Sequence, residues 1–125
     1  MMKSESKKVL VMKNGSYIPE RGDVIWIDFT PQRGHEQRGR RPSLVVSPKI
    51  YNEKTSLCIC VPVTSKIKDY PFEVALPQEF EINGVILADQ IKSLDFQARK
   101  ASFIAKVPHA ILQKVQNYMR MLIEG

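Results

Sequence analysis

Two apolar runs constrain this chain most, Val24-Ile25-Trp26-Ile27-Asp28-Phe29 and Leu57-Cys58-Ile59-Cys60-Val61-Pro62-Val63. Both are rich in β-branched or aromatic residues, and their hydrophobic side chains stand at successive rather than alternate positions. A strand with that pattern must be buried on both faces, so it belongs at the centre of a sheet that other elements cover. Leu44-Val45-Val46-Ser47, ended by Pro48, is a shorter strand of the same kind. Tyr70, Phe72, Val74 and Leu76 alternate with Pro71, Glu73 and Ala75, which predicts a half-exposed strand with Pro71 at an edge or a start. Asn83-Gly84 signals a turn into Val85-Ile86-Leu87-Ala88, and residues 101–107 supply the last short strand. After Pro108 the period changes. Ile111, Leu112, Val115, Met119 and Leu122 fall on one helical stripe, with Gln113, Lys114, Asn117 and Arg120 on the wetter sides. The expectation is a mainly β protein with a C-terminal helix, built as a small β-barrel or a strongly coiled sheet.

A chain of 125 residues fits one such core and leaves little room for a second. No apolar run approaches the roughly 18 residues of a spanning helix. The stretch Lys7-Lys8-Val9-Leu10-Val11-Met12 is too short in its apolar part for a signal peptide, so a cytoplasmic setting without membrane contact is expected. Residues 1–16 read as a basic leader and residues 17–125 as the folded domain. Cys58 and Cys60 lie two apart, without the spacing of a redox pair, and far in sequence from His35 and His109. They read as small buried hydrophobes, and neither a metal nor another cofactor is expected.

The net charge of +6 is unevenly placed. Besides the leader, its densest part is the polar segment between Thr30 and Pro42, read here as a long loop that includes Gly34-His35-Glu36-Gln37-Arg38-Gly39-Arg40-Arg41-Pro42. Arginine presents a planar fork that matches phosphate oxygens, and Glu36 beside it is a possible base; a solvated basic loop has the same composition. Thr64 and Ser65, at the end of the third strand, can orient a phosphate or simply cap the strand. Asp89-Gln90-Ile91-Lys92 emerges from an apolar strand and can read base edges or bond internally. His109, at the helix start, has the titration range of a base but no polar neighbour in sequence.

In order along the chain, these segments resemble the MazF/PemK family, the toxins of bacterial toxin–antitoxin pairs. The matching segments are Arg21-Gly22-Asp23 with the first strand through Thr30-Pro31, Gly34-His35-Glu36-Gln37, Arg41-Pro42 with its strand, Val61-Pro62-Val63-Thr64, Tyr70-Pro71-Phe72-Glu73-Val74, and residues 84–93. They span roughly residues 17–123. The resemblance implies an SH3-like small β-barrel of the CcdB/MazF-like kind, acting as a homodimer. It implies an endoribonuclease that cuts single-stranded RNA (mRNA) at short sequences without a metal or other cofactor. The 2′-hydroxyl attacks the neighbouring phosphate, giving a 2′,3′-cyclic phosphate and a free 5′-hydroxyl.

By the same resemblance Arg41 holds the phosphorane oxygens, Thr64 orients the phosphate, and Glu36 acts as base or positions Arg41. Gln37, Arg38, Arg40, Asp89, Gln90 and Lys92 are the implied RNA contacts. One departure bears on this assignment. In the PemK-like branch an arginine stands two residues before the acid of the Asp-Gln pair; here that residue is Leu87, so its role falls on Arg41. The implied partner is an acidic antitoxin whose disordered segment covers the RNA groove. The alternatives are a non-catalytic RNA- or protein-binding module of the same fold and a gyrase-directed toxin like CcdB.

Overall fold

A computed structural model of the chain describes residues 17–29 and 39–125. Among these residues seven strands and two helices form: β1 (Asp23–Asp28), β2 (Arg40–Val45), α1 (Lys49–Thr55), β3 (Leu57–Thr64), β4 (Glu73–Ala75), β5 (Val85–Leu87), β6 (Lys92–Asp95), β7 (Ser102–Lys106) and α2 (His109–Glu124). The strands pair antiparallel in the order β4-β5-β3-β2-β1-β7, and β6 also joins β3. The sheet coils strongly but does not close on itself, so the mainly β fold with a C-terminal helix is as expected and its barrel is open.

Burial follows the sequence pattern. In β1, Val24 enters one core while Ile25 and Ile27 enter another on the opposite face of the sheet. β3 does the same: Val61 and Val63 face the first core, Cys58 and Cys60 the second. The Cys58 thiol is pushed up by its hydrogen bond to Cys60 and by burial, and both thiols are free. The stripe on α2 presses Leu112 and Val115 into the first core. Each such burial contributes about 1.5–3 kcal/mol. Pro108 precedes the helix and accepts its first backbone bonds, from Ile111 and Leu112.

Several boundaries differ from expectation. Arg40, Arg41 and Pro42 are not loop but the first residues of β2, drawn into the ladder by pairing with Asp28, Ile27 and Trp26. The same strand stops at Val45 rather than Ser47, because Ser47 turns its hydroxyl to Asn52. The strand expected from Tyr70 to Leu76 is only Glu73–Ala75. Helix α1 and strand β6 had no counterpart in the sequence reading. The leader and residues 30–38 lie outside the described residues.

A buried carboxylate ties the start of β1 to β7. Asp23 is fully buried. It accepts the Tyr17 hydroxyl and the Glu20 amide at 3.0 Å, and it pairs with the Lys106 ammonium at 2.8 Å. Burial, then the charge and hydrogen bond of Asp23, push the Tyr17 phenol well above its ordinary value of 10.0. Burial pulls Lys106 down, but the bonds and charges of Asp23 and then Glu20 outweigh it and raise it above 10.5. Both groups therefore keep a proton in the folded chain at a pH where the unfolded chain has released it. Their contribution is full below the unfolded values and is lost as pH rises through the folded ones. Urea unfolding should show stability falling above about pH 10, and Tyr17→Phe should flatten that fall; an unchanged slope would refute the coupling.

Candidate nucleic-acid interface

β3 ends on Thr64, which is buried. Its hydroxyl oxygen accepts the Lys66 amide at 3.1 Å. An alcohol that accepts one hydrogen bond still has its own proton to give, so Thr64 can donate outward. β5 holds it from the side through the Thr64–Val85 pair. Behind it lies Gly84, at φ +136°, where a Cβ would stand 2.3 Å from the Thr64 carbonyl oxygen. Only a residue without a side chain lets these backbones approach so closely.

Past β5 the chain turns, with the Gln90 amide donating to the Leu87 carbonyl at 3.1 Å, and this turn carries Asp89 and Gln90. Across from it, residues 65–72 leave β3 and return as β4. Between the two lies a cleft of about 190 Å³. It is lined by Thr64, Leu87, Asp89 and Gln90 together with Lys66, Lys68, Tyr70, Phe72 and Glu73, and Glu73 pairs directly with Leu87 in the β4–β5 ladder. The Lys68 ammonium sits over the Tyr70 ring, 5.8 Å from its centroid. The cleft thus combines hydroxyl, carboxylate, amide, ammonium and an exposed aromatic face, the set that holds phosphates and unstacked bases.

Arg41 does not line the cleft, but its register sets it toward that end of the sheet. β2 and β3 pair Ser43 with Pro62 and Leu44 with Val61. The β2–β3 pairing stops there, and the same register carried two residues further sets Arg41 opposite Thr64 on one face of the sheet. Ile27, which pairs with Arg41, lies in the second core and fixes that face. Arg40, its neighbour, points the other way: its guanidinium donates to the Lys100 carbonyl at 2.7 Å and to Ser102 Oγ at 3.1 Å. It is engaged with the β7 side, away from the cleft. Lys92 pairs with Cys60 at the start of β6 and does not line the cleft. Glu36, Gln37 and Arg38 lie outside the described residues. His109 opens α2, exposed and away from the cleft. Among the described residues no three His, Cys, Asp or Glu side chains converge as metal ligands would.

Lys68, Tyr70 and Glu73 were not among the residues the sequence pointed to. The available signal was the alternation Lys66, Lys68, Tyr70 directly after a buried strand, which a strand reading of Tyr70 and Phe72 obscured.

An open antiparallel sheet packed against one helix, with a mixed polar cleft at the end of its central strand, defines a small β protein with a candidate binding site. A family model described as PemK-like, MazF-like toxin of type II toxin–antitoxin system matches residues 20–123. The chain belongs to this family. It is 48% identical over 107 residues, 86% of this chain and 96% of the relative, to the endoribonuclease toxin MazF of Escherichia coli K12. To the Escherichia coli endoribonuclease PemK it is 36% identical over 100 residues, 77% of this chain and 75% of the relative. Its fold matches the crystal structure of MazF from Deinococcus radiodurans with a TM-score of 0.84 at 46% identity, covering 88% of this chain and 100% of the other. A MazE–MazF crystal structure from the same organism matches with a TM-score of 0.80 at 47% identity, covering 87% and 98%.

The close approach at Gly84 gives a direct check on how Thr64 is held. Gly84→Ala should destabilise the fold by about 2 kcal/mol in urea unfolding and shift the backbone amide resonances of Thr64 and Ser65. Wild-type stability with unmoved resonances would show that the contact does not position Thr64.

Proposed function

We propose that this chain is the toxin of a type II toxin–antitoxin pair and a metal-independent endoribonuclease acting on single-stranded RNA. The observation that carries the reading is the convergence of Thr64, Asp89 and Gln90 in one cleft, with Arg41 at the same strand end. The names of the relatives, MazF and PemK endoribonucleases, support it. In the reaction the 2′-oxygen next to the scissile phosphate forms a bond to phosphorus while the bond from phosphorus to the 5′-oxygen breaks. Glu36 takes the 2′ proton or positions Arg41, and the 5′-oxygen leaves with a proton as a free hydroxyl. Arg41 supplies fixed positive charge for the phosphorane oxygens, and the Thr64 hydroxyl donates to the same group. Charge aimed at the transition state rather than the substrate accelerates the chemical step. Gln37, Arg38 and Lys92 contact the RNA, Lys92 from outside the cleft. Arg40 fits a scaffold role better than the direct RNA contact its sequence position suggests.

Incubation of the chain with single-stranded RNA in excess EDTA should yield products ending in a 2′,3′-cyclic phosphate. Arg41→Ala should lower kcat by about 10²–10³, and an RNA with 2′-deoxyribose at the cleavage site should bind uncut. Undiminished cutting by the variant would overturn the assignment, and RNA bound but never cut would support the binding module instead.

The partners are a second copy of the chain and an antitoxin. Relatives crystallise as MazE–MazF complexes, and a net charge of +6 suits an acidic antitoxin segment laid over the RNA groove. For the homodimer the best surface is the groove between α1 and the end of α2, where Pro48, Tyr51, Met119 and Ile123 meet and Ile123 is exposed. Isolated exposed apolar residues are ordinary, but a mainly apolar groove with an exposed isoleucine at its edge suits an interface. Ile123→Glu should therefore convert a dimer to a monomer in sedimentation equilibrium; an unchanged mass would place the interface elsewhere.

A further inference from the structure

The Glu73 carboxylate lines the cleft, yet its charge does not face the solvent-filled space unopposed. One carboxylate oxygen accepts the Lys68 amide at 3.1 Å and the other accepts the Asp69 amide at 3.0 Å. Its own amide donates to the Tyr70 carbonyl at 3.1 Å. One residue of β4 therefore gathers three consecutive residues of the 65–72 segment, Lys68 and Asp69 through its side chain and Tyr70 through its backbone amide, and Asp69 adopts a left-handed φ of +59° inside that loop. The consequence is that Lys68 and Tyr70, both exposed, are held together at the mouth of the cleft with the ammonium over the ring. Charge-assisted bonds to backbone amides are among the stronger ones a surface loop can make.

We infer that Glu73 is a positioning residue that pre-forms a nucleotide subsite from Lys68 and Tyr70, in which the ring stacks an unpaired base and the ammonium meets a flanking phosphate. The inference rests on the ribonuclease reading for its ligand, single-stranded RNA. Its chemistry follows from the residues. An exposed tyrosine face beside a cation is a stacking platform that tolerates any base. A loop already held in the bound arrangement spares the ordering cost that RNA binding would otherwise meet. The subsite shares one cleft with Thr64, Asp89 and Gln90, so it takes a nucleotide adjacent to those the turn contacts.

The test uses two readouts on the intact protein. One is KM and kcat for a short single-stranded RNA; the other is Kd for the same oligonucleotide with 2′-deoxyribose throughout. Glu73→Ala should raise KM and Kd about tenfold while kcat changes by about twofold at most. Glu73→Gln should fall between, because its amide offers one accepting oxygen and sets a donor against the second backbone amide. Tyr70→Ala should weaken Kd about fivefold or more, and Tyr70→Phe, which keeps the ring, should restore it. A role confined to stability would lower the urea midpoint and leave KM and Kd of the folded protein unmoved. If Glu73→Ala does not fold, the exposed Lys68→Ala and Tyr70→Ala variants decide the matter, and wild-type Kd in both overturns the subsite. If the wild-type chain binds the deoxy oligonucleotide but cuts no RNA, the ribonuclease reading fails and Kd still decides the role of Glu73. If it neither binds nor cuts, both fail.

Discussion

Strand β3 has to satisfy three neighbours with two edges. One edge meets β2 over residues 60–62; the other is shared, with β6 along residues 57–60 and β5 along residues 63–64. Pro62 falls at the changeover, and a residue without an N–H leaves one donor fewer to satisfy where the ladder switches partner. Because β5 and β6 cannot occupy the same line, the sheet coils around β3, and its two faces become two cores. The far end of β3 is where β2, β5 and the turn after β5 converge. Thr64 is the residue that stands there, so the place of the chemistry follows from the way one strand is shared.

The buried polar residues sort themselves by what their hydrogen bonds achieve. Asp23 joins the segment before β1 to Lys106. Ser43 donates to the Val61 carbonyl at 2.9 Å across the β2–β3 pair. Asn52, the one buried residue of α1, donates to the Pro19 carbonyl at 2.8 Å and accepts from Ser47, whose oxygen in turn takes the Ile59 amide. Each of these spans distant parts of the chain, and among the described residues no buried side-chain nitrogen or oxygen lacks a partner. Thr64 differs. Its bond is local, to an amide two residues on, and serves to orient a hydroxyl toward a cleft. Loss of a buried bond costs about 1–3 kcal/mol when its partner stays unsatisfied, so the first group is held by stability and Thr64 by geometry.

The parts of this fold that announce themselves in sequence are those whose burial sets a period. β1 and β3 carry successive apolar residues because both faces are covered, and α2 carries a stripe because one side is. Lys92-Ser93-Leu94-Asp95 buries Leu94 alone, so β6 has no pattern to read; it is a strand because β3 has a free edge there. Helix α1 buries Asn52 alone and depends on hydrogen bonds from elsewhere. Arg40 and Arg41 read as loop because charge and Pro42 argue against a strand, yet β1 supplies a ladder that outweighs local preference. In the site, Thr64, Asp89 and Gln90 were legible because they directly follow apolar strands. Glu73 was not, since its part depends on backbone amides four and five residues earlier, which composition does not encode.

The charge of the cleft is mixed: Lys66, Lys68 and Asp89 all line it. The second carboxylate, Glu73, is occupied by two backbone amides. On the ribonuclease reading, the net charge of +6 draws RNA in, but such long-range attraction does not orient a strand. Asp89 does. Phosphates within about 10 Å of an exposed carboxylate are repelled, while amino groups on base edges are donors that a carboxylate accepts. On that reading the sugar-phosphate backbone keeps to the lysines and Arg41, and the base edges turn toward Asp89 and Gln90. An acid in a basic protein's cleft, on the same reading, sorts base edges from phosphates.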